Sequence, residues 1–186
     1  RQTAERYHAA PSAVGASLGG LSALIAETRS GPLLDSLVLV DITPRMDPEG
    51  VAKVQGFMGA QMSEGFGSLD EAADAIAAYM PNRPRPRSLD GLRKNLRLGD
   101  DGRYRWHWDP AFMSVERGIN RNGAETMAEL IANVPNLHLS ILLVRGMESE
   151  LVHEDFVREF IELAPSASAV DVAGAGHMVA GDKNDA

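Results

Sequence analysis

Short apolar runs alternate along this chain with stretches whose apolar residues recur at helical spacing. Leu37-Val38-Leu39-Val40 and Leu139-Ser140-Ile141-Leu142-Leu143-Val144 are nearly continuous, the pattern of strands covered on both faces in a parallel sheet. Ser12-Ala13-Val14 and Ser168-Ala169-Val170-Asp171-Val172 read as two further strands, each running into a glycine-rich loop. Between them lie helical stretches. Residues 2–10 read as the end of a helix broken by Pro11, and 21–28 as a buried helix stopped by Gly31-Pro32. Ser68-Leu69-Asp70-Glu71 matches a capping box ahead of Ala72, Ala73, Ile76, Ala77 and Met80. Leu89 to Leu98 reads as a short helix, Asp100-Asp101-Gly102 as a turn and 103–110 as extended. Ala124 to Asn133 predicts a helix, and 154–163 an amphipathic one with Phe156, Val157, Phe160 and Ile161 on one side. There are no internal repeats. This alternation of strand and helix predicts an α/β fold built on a parallel sheet.

Composition narrows the function classes. The 186 residues correspond to one compact domain with an insertion, at roughly 150 residues per domain. With 44% hydrophobic and 24% charged residues, there is material for a real core, and disordered or fibrous architectures are excluded. Cysteine is absent, which removes disulfide scaffolds, thiolate zinc sites and cysteine nucleophiles and favours a cytoplasmic location. The net charge of −8 excludes a general nucleic-acid binder. Arg83, Arg85 and Arg87, interleaved with Pro81, Pro84 and Pro86, read as a solvated basic link, since no aromatic residues accompany them. No apolar run approaches the ~20 residues of a membrane span. The chain opens on Arg1-Gln2-Thr3 and stops just past a glycine-rich loop, so a piece of a longer protein is expected.

The chemistry concentrates in two loops. Gly15-Ala16-Ser17-Leu18-Gly19 is a Gly-x-Ser-x-Gly sequence lying after a strand and before a helix, the context of a nucleophile elbow. The tight turn calls for little bulk on either side, and the helix N-terminus favours developing negative charge near the serine. The alternative is a glycine-rich strand-to-helix turn, including one that binds phosphate; a dinucleotide fingerprint fits poorly because Ser17 takes the place of its second glycine. His177, in Gly174-Ala175-Gly176-His177-Met178, sits on a small-residue loop that lets an imidazole approach a nucleophile from a neighbouring strand end. Residues 42–138 separate two sheet segments by 97 positions, where a simple crossover needs about 10–12. Within that insertion Met46, Phe57, Met58, Met62, Phe66 and Met80 either pack helices or line an apolar pocket. Trp106, His107 and Trp108 divide the same way, between packing and substrate contact. His8, His138 and His153 lack ligand spacing and read as structural or solvated.

Taken together, Val14-Gly15-Ala16-Ser17-Leu18-Gly19-Gly20, Leu37-Val38-Leu39-Val40-Asp41, Leu142-Leu143-Val144-Arg145-Gly146 and Gly174-Ala175-Gly176-His177 resemble the α/β-hydrolase superfamily, in its capped esterase and epoxide-hydrolase-like branch. The resemblance implies the C-terminal part of a hydrolase sheet with an inserted helical cap: a core at 1–45 and 119–186, and the cap at 46–118. It implies a triad in the order serine, acid, histidine, with Ser17 as nucleophile and His177 as base. The acid of this family usually follows the strand that here ends at Val144, three or four residues after a glycine. Those positions hold Ser149 and Glu150, so the expected aspartate is missing. Glu150, next to Leu151-Val152, is the first candidate; Asp41, at an alternative acid site of the superfamily, is the second, and Glu148 the third. The Leu18 N–H is the implied oxyanion donor. Its companion donor belongs to a loop in an N-terminal half that the 16 residues before Ser17 cannot hold. A serine nucleophile excludes epoxide hydrolases and haloalkane dehalogenases, which need a carboxylate there. Carboxylic ester hydrolysis through an acyl-enzyme is the leading expectation, without cofactor or metal. The substrate expected is a small apolar ester, with Trp106, His107, Trp108 and Met178 as pocket residues, and neither nucleic acid nor membrane as partner. Carbon–carbon bond hydrolysis, amide cleavage and cofactor-free haloperoxidase or perhydrolase chemistry use the same constellation. A non-catalytic homologue that binds a small molecule is the competing class.

Overall fold

The computed structural model describes residues 2–81, 83, 85, 88–114 and 122–183. Arg87, Pro84 and Pro86 of the expected basic link, and positions 119–121 of the expected core, lie outside these residues. The chain divides into two compact units, Arg1–Val51 with Gly123–Ala186, and Ala52–Asn122.

The first unit is a parallel α/β sheet. Strands β1 (Ser12–Ala16), β2 (Ser36–Val40), β5 (Ser140–Gly146) and β6 (Ala167–Val172) lie in the order β1-β2-β5-β6. Every pairing is parallel, with Val14 opposite Val38 and Val38 opposite Leu142. Helix α1 (Gln2–Tyr7) precedes the sheet, and α2 (Leu18–Ser30) connects β1 to β2. Helix α5 (Gly123–Asn133) leads into β5, and α6 (Glu154–Leu163) connects β5 to β6. Leu24, Leu130 and Phe160 from α2, α5 and α6 pack with Leu37, Leu39, Ile141 and Leu143 into one core.

All of these strand residues share one face. On the opposite face of the predicted runs Val38, Val40 and Val144 are half-buried, so the expected covering is only partial among the described residues. Val14, Leu142 and Val170 on the strands' other side remain 75%, 36% and 46% exposed. Helices α2, α5 and α6 send their apolar stripes to the same side of the sheet.

Helix α3 (Pro48–Gly59) forms where the apolar pattern predicts no element. Its start is well specified: Asp47 Oδ1 accepts the Gly50 N–H at 2.8 Å, and Pro48 follows with its φ already helical. Gly50, Gly56 and Gly59 dilute the periodicity that would have announced it.

The second unit has its own core of Phe66, Leu69, Ala72, Ala73, Leu92, Leu96 and Trp106. Helix α4 (Leu69–Tyr79) begins at the predicted capping box. Ser68 Oγ accepts the Glu71 N–H at 3.1 Å, while the Glu71 carboxylate turns back to the Gly67 N–H at 2.6 Å. The sequence over 89–98 predicts a helix. Only a 3-10 turn, Asp90–Lys94, forms there, followed by strand β3 (Leu96–Leu98). β3 pairs antiparallel with β4 (Tyr104–Trp106), so non-local pairing of Leu96 with Trp106 overrides the local helical pattern. Arg85 is not a free linker cation: its guanidinium pairs with Asp70 and Asp74 at 2.8 and 2.7 Å, and these hydrogen bonds raise its pKa, Asp70 contributing most. Among the described residues, no helix is long and apolar enough to cross a membrane.

Candidate active site

The C-terminal ends of β1, β2 and β5 and the loop after β6 carry the chemistry. Ser17 follows β1 directly and adopts φ 48°, ψ −124°, a left-handed conformation that a side chain occupies only at a cost of about 1–3 kcal/mol. Its N–H donates to the Val40 carbonyl at 3.1 Å, which extends the β1–β2 ladder to the elbow. The turn is tight on one side. A Cβ on Gly15 would stand 2.4 Å from the Gly20 nitrogen, and one on Gly20 would meet the Gly15 oxygen at 2.6 Å. At Gly19 nothing lies within 4 Å, so the close-packed pair is Gly15 and Gly20 rather than the two glycines flanking the serine in the motif.

A stability measurement separates them. Gly15→Ala lowers unfolding free energy by about 1–3 kcal/mol or more through backbone overlap. Gly19→Ala costs nothing and gains up to about 1 kcal/mol from helix propensity. Urea unfolding of the two variants checks both signs.

Asp41 is fully buried and follows β2 with φ 50°. Its N–H donates to the Val144 carbonyl of β5 at 2.8 Å. The carboxylate receives three donors: the Gly146 N–H on Oδ1 at 3.0 Å, and the Ser149 hydroxyl and His177 Nδ1 on Oδ2 at 2.5 and 2.8 Å. Such a set offsets the burial of a charge. On the other edge of the imidazole, Nε2 lies 3.0 Å from Ser17 Oγ. A carboxylate only accepts, so Nδ1 carries the proton and Nε2 is left to accept from the serine hydroxyl.

The His177 loop is held at several points. Glu148 N–H donates to the Ala175 carbonyl at 2.9 Å, and Gly176 N–H to Asp182 Oδ2 at 3.0 Å. A Cβ on Gly146 would stand 2.3 Å from the Gly176 oxygen, so a glycine at the end of β5 lets this loop close over it. Next to Gly146, the Arg145 guanidinium makes a double hydrogen bond to Asp171, 2.8 and 2.9 Å, that ties β5 to β6. That bond raises the Arg145 pKa above its ordinary value.

The structure therefore brings Ser17, His177 and Asp41 together. It corrects the ranking of the acid: Asp41, and not Glu150, meets Nδ1 of the imidazole. The reason is topological. β2 lies between β1 and β5, so a side chain at its end sits between the elbow and the histidine loop. The position three residues after Gly146 is filled by the Ser149 hydroxyl, while the Glu150 backbone packs against the start of α3, where a Gly50 Cβ would meet its carbonyl oxygen at 1.9 Å.

Of the expected pocket residues, Trp106, His107 and Trp108 belong to the second unit and Met178 to the first. Trp106 is buried in the second unit, stacked on Trp108 with ring centroids 4.7 Å apart and edge-on to Phe66. Both indole N–H groups are buried and have no hydrogen-bond partner among the described residues. His107 is exposed; its backbone N–H donates to Asn95 and its carbonyl accepts from Arg97. Phe66 is fully buried in the second unit, and Met46 packs on the core of the first. Met178, next to the histidine, is 51% exposed and precedes the short helix α7 (Val179–Asp182). Among the described residues, no group of three or more histidine and carboxylate side chains is arranged to hold a metal ion.

No family model matches the chain. Among curated proteins it is 31% identical to esterase Rv0045c of Mycobacterium tuberculosis over 175 residues, covering 91% of this chain and 55% of that one. It is 27% identical over 170 residues to the 2-(acetamidomethylene)succinate hydrolase of Mesorhizobium japonicum, covering 89% of this chain and 57% of that one. The crystal structure of an E-2-(acetamidomethylene)succinate hydrolase superposes with a TM-score of 0.76 at 23% identity, over 98% of this chain and 66% of that one. That of the Mycobacterium tuberculosis esterase gives 0.70 at 27% identity, over 98% and 59%. The chain thus spans little more than half the length of the curated relatives it matches.

Proposed function

Because this chain belongs to the α/β-hydrolase superfamily, we propose that Ser17, His177 and Asp41 form the catalytic triad of a serine hydrolase acting on a small carboxylic ester. The observation that carries the proposal is the unbroken relay from Ser17 Oγ to His177 Nε2 and from Nδ1 to Asp41, at 3.0 and 2.8 Å, behind a serine in a left-handed elbow. In this reading Ser17 Oγ attacks the acyl carbon as its proton passes to Nε2. Asp41 holds the imidazole in the required tautomer and stabilises its cation. The Leu18 N–H, at the start of α2, donates to the oxyanion. The imidazolium then protonates the departing alkoxide. Water, deprotonated by the same Nε2, attacks the acyl-enzyme, and the acid leaves with Ser17 restored.

The ester class rests on the esterase relative and on the serine at the elbow. An apolar acyl group, with Met178 beside His177 near the substrate, and a cytoplasmic location belong to the same proposal. The triad serves carbon–carbon hydrolysis and perhydrolysis equally well, and a substrate panel separates these from ester cleavage. A fluorophosphonate probe tests the core of the reading. The full-length protein becomes labelled at Ser17, and labelling disappears in Ser17→Ala. Absence of labelling in the folded wild type would favour a protein that only binds its small molecule.

A further inference from the structure

Ser149 stands three residues after Gly146, and its hydroxyl contacts the acid rather than the histidine. Oγ lies 2.5 Å from Asp41 Oδ2, and the Leu151 and Val152 N–H groups both donate to Oγ, each at 3.1 Å. The consequence for the proton is strict. Both backbone neighbours are donors, so the hydroxyl lone pairs are occupied and its hydrogen has only the Asp41 carboxylate to serve. Leu151 and Val152 are 3% and 1% exposed and Asp41 is fully buried, while Ser149 itself is half-buried. We propose that Ser149 is a positioning residue of the triad: its hydroxyl, oriented by the 151–152 backbone, fixes Asp41 Oδ2 on His177 Nδ1 and limits the negative charge the imidazole feels.

Two features make this more than a loop contact. Asp41 has a left-handed backbone and no exposure, so its carboxylate orientation depends on its three donors. One of these is the imidazole itself, and the Gly146 N–H holds Oδ1. Ser149 is therefore the only side chain besides the histidine that holds Oδ2 among the described hydrogen bonds. Removing its hydroxyl leaves more charge on Oδ2, which raises the basicity of Nε2 across the ring. Among the described residues, the charged groups around this cluster include Arg145 beside Asp41, Asp182 on the Gly176 N–H, and Glu150, whose Oε2 lies 3.9 Å from where a Gly176 Cβ would stand. None of them changes in the variants below.

The inference rests on the proposed triad, and its test keeps the two apart. In the full-length protein, wild type and Ser17→Ala are first compared for p-nitrophenyl acetate turnover and fluorophosphonate labelling. An inert wild type overturns the triad reading itself. With an active wild type, Ser149→Ala lowers kcat by about 10- to 100-fold at unchanged KM, the range for a lost hydrogen bond to a charged group. The acid limb of its kcat/KM profile moves to higher pH, because the imidazolium is better stabilised. Ser149→Thr, which keeps the hydroxyl, restores most of kcat and the wild-type limb. Wild-type kcat in Ser149→Ala, or a fall in kcat with an unmoved limb, overturns the positioning role. If Ser149→Ala does not fold, Ser149→Cys reads the same limb with a weakly donating thiol, and an unmoved limb there counts against the proposal.

Discussion

Ser17→Ala reduces turnover of p-nitrophenyl acetate by the full-length protein to the background of the unassisted reaction. The expected loss in kcat is about 10⁶-fold, the scale reached when a triad serine is deleted. The substitution removes one oxygen from a side chain whose backbone strain is imposed by its neighbours: the Val40 carbonyl bond and the Gly15–Gly20 contact stay in place. Near-ultraviolet circular dichroism and the thermal midpoint therefore stay close to wild type, while steady-state kinetics collapses. Retained activity with ordinary saturation would show that Ser17 is not the nucleophile.

Asp41→Asn is expected to lower kcat by about 10⁴-fold, with the fold intact. Asparagine can still accept the Gly146 N–H on its carbonyl oxygen. Its amide nitrogen then takes the place of Oδ2 and presents hydrogens to both Ser149 and Nδ1. An imidazole facing such a donor keeps its own proton on Nε2 and cannot take one from Ser17. His177→Ala removes the base altogether and costs at least ~10²-fold. Glu150→Gln and Glu148→Gln leave kcat within about twofold, since neither carboxylate meets the ring nitrogens that Asp41 and Ser17 occupy. A large loss in Glu150→Gln beside a mild one in Asp41→Asn would reverse the assignment.

Much of the fold was legible because it rests on local signals. The apolar runs at 37–40 and 139–144, the Pro11 and Gly31-Pro32 breaks and the Ser68 capping box each specify an element within a few residues. Ser17 and His177 were legible for a related reason, since each stands in a loop made of small residues. Asp41 is less legible, because counting from Gly146 points to positions 149 and 150, of which only 150 carries a carboxylate. The signal for it was in the chain: one short βαβ unit spans Ser12–Val40, which places β2 beside the elbow strand and an acid at its end beside the serine. Ser149 carries no such signal, since a hydroxyl three residues after Gly146 looks like a vacant acid position. Its role depends on two backbone N–H groups and a carboxylate 108 positions away, which no local pattern encodes. The strand at 96–98 escaped for the same reason, its partner lying across a turn.

The register of the parallel sheet has a consequence for how activity appears in time. Ser17 and Asp41 are joined through neighbouring strands, but Asp41 takes its N–H partner from Val144, and its carboxylate closes on groups 105 to 136 positions later in the chain. Loops of that length close slowly compared with the formation of α2 or α6. During refolding, helical signal accordingly recovers first, and the capacity to react with a phosphonate returns only when β5 docks on β2 and the histidine loop settles behind it. Competence is a late event in the folding of this chain, acquired with its most distant contacts.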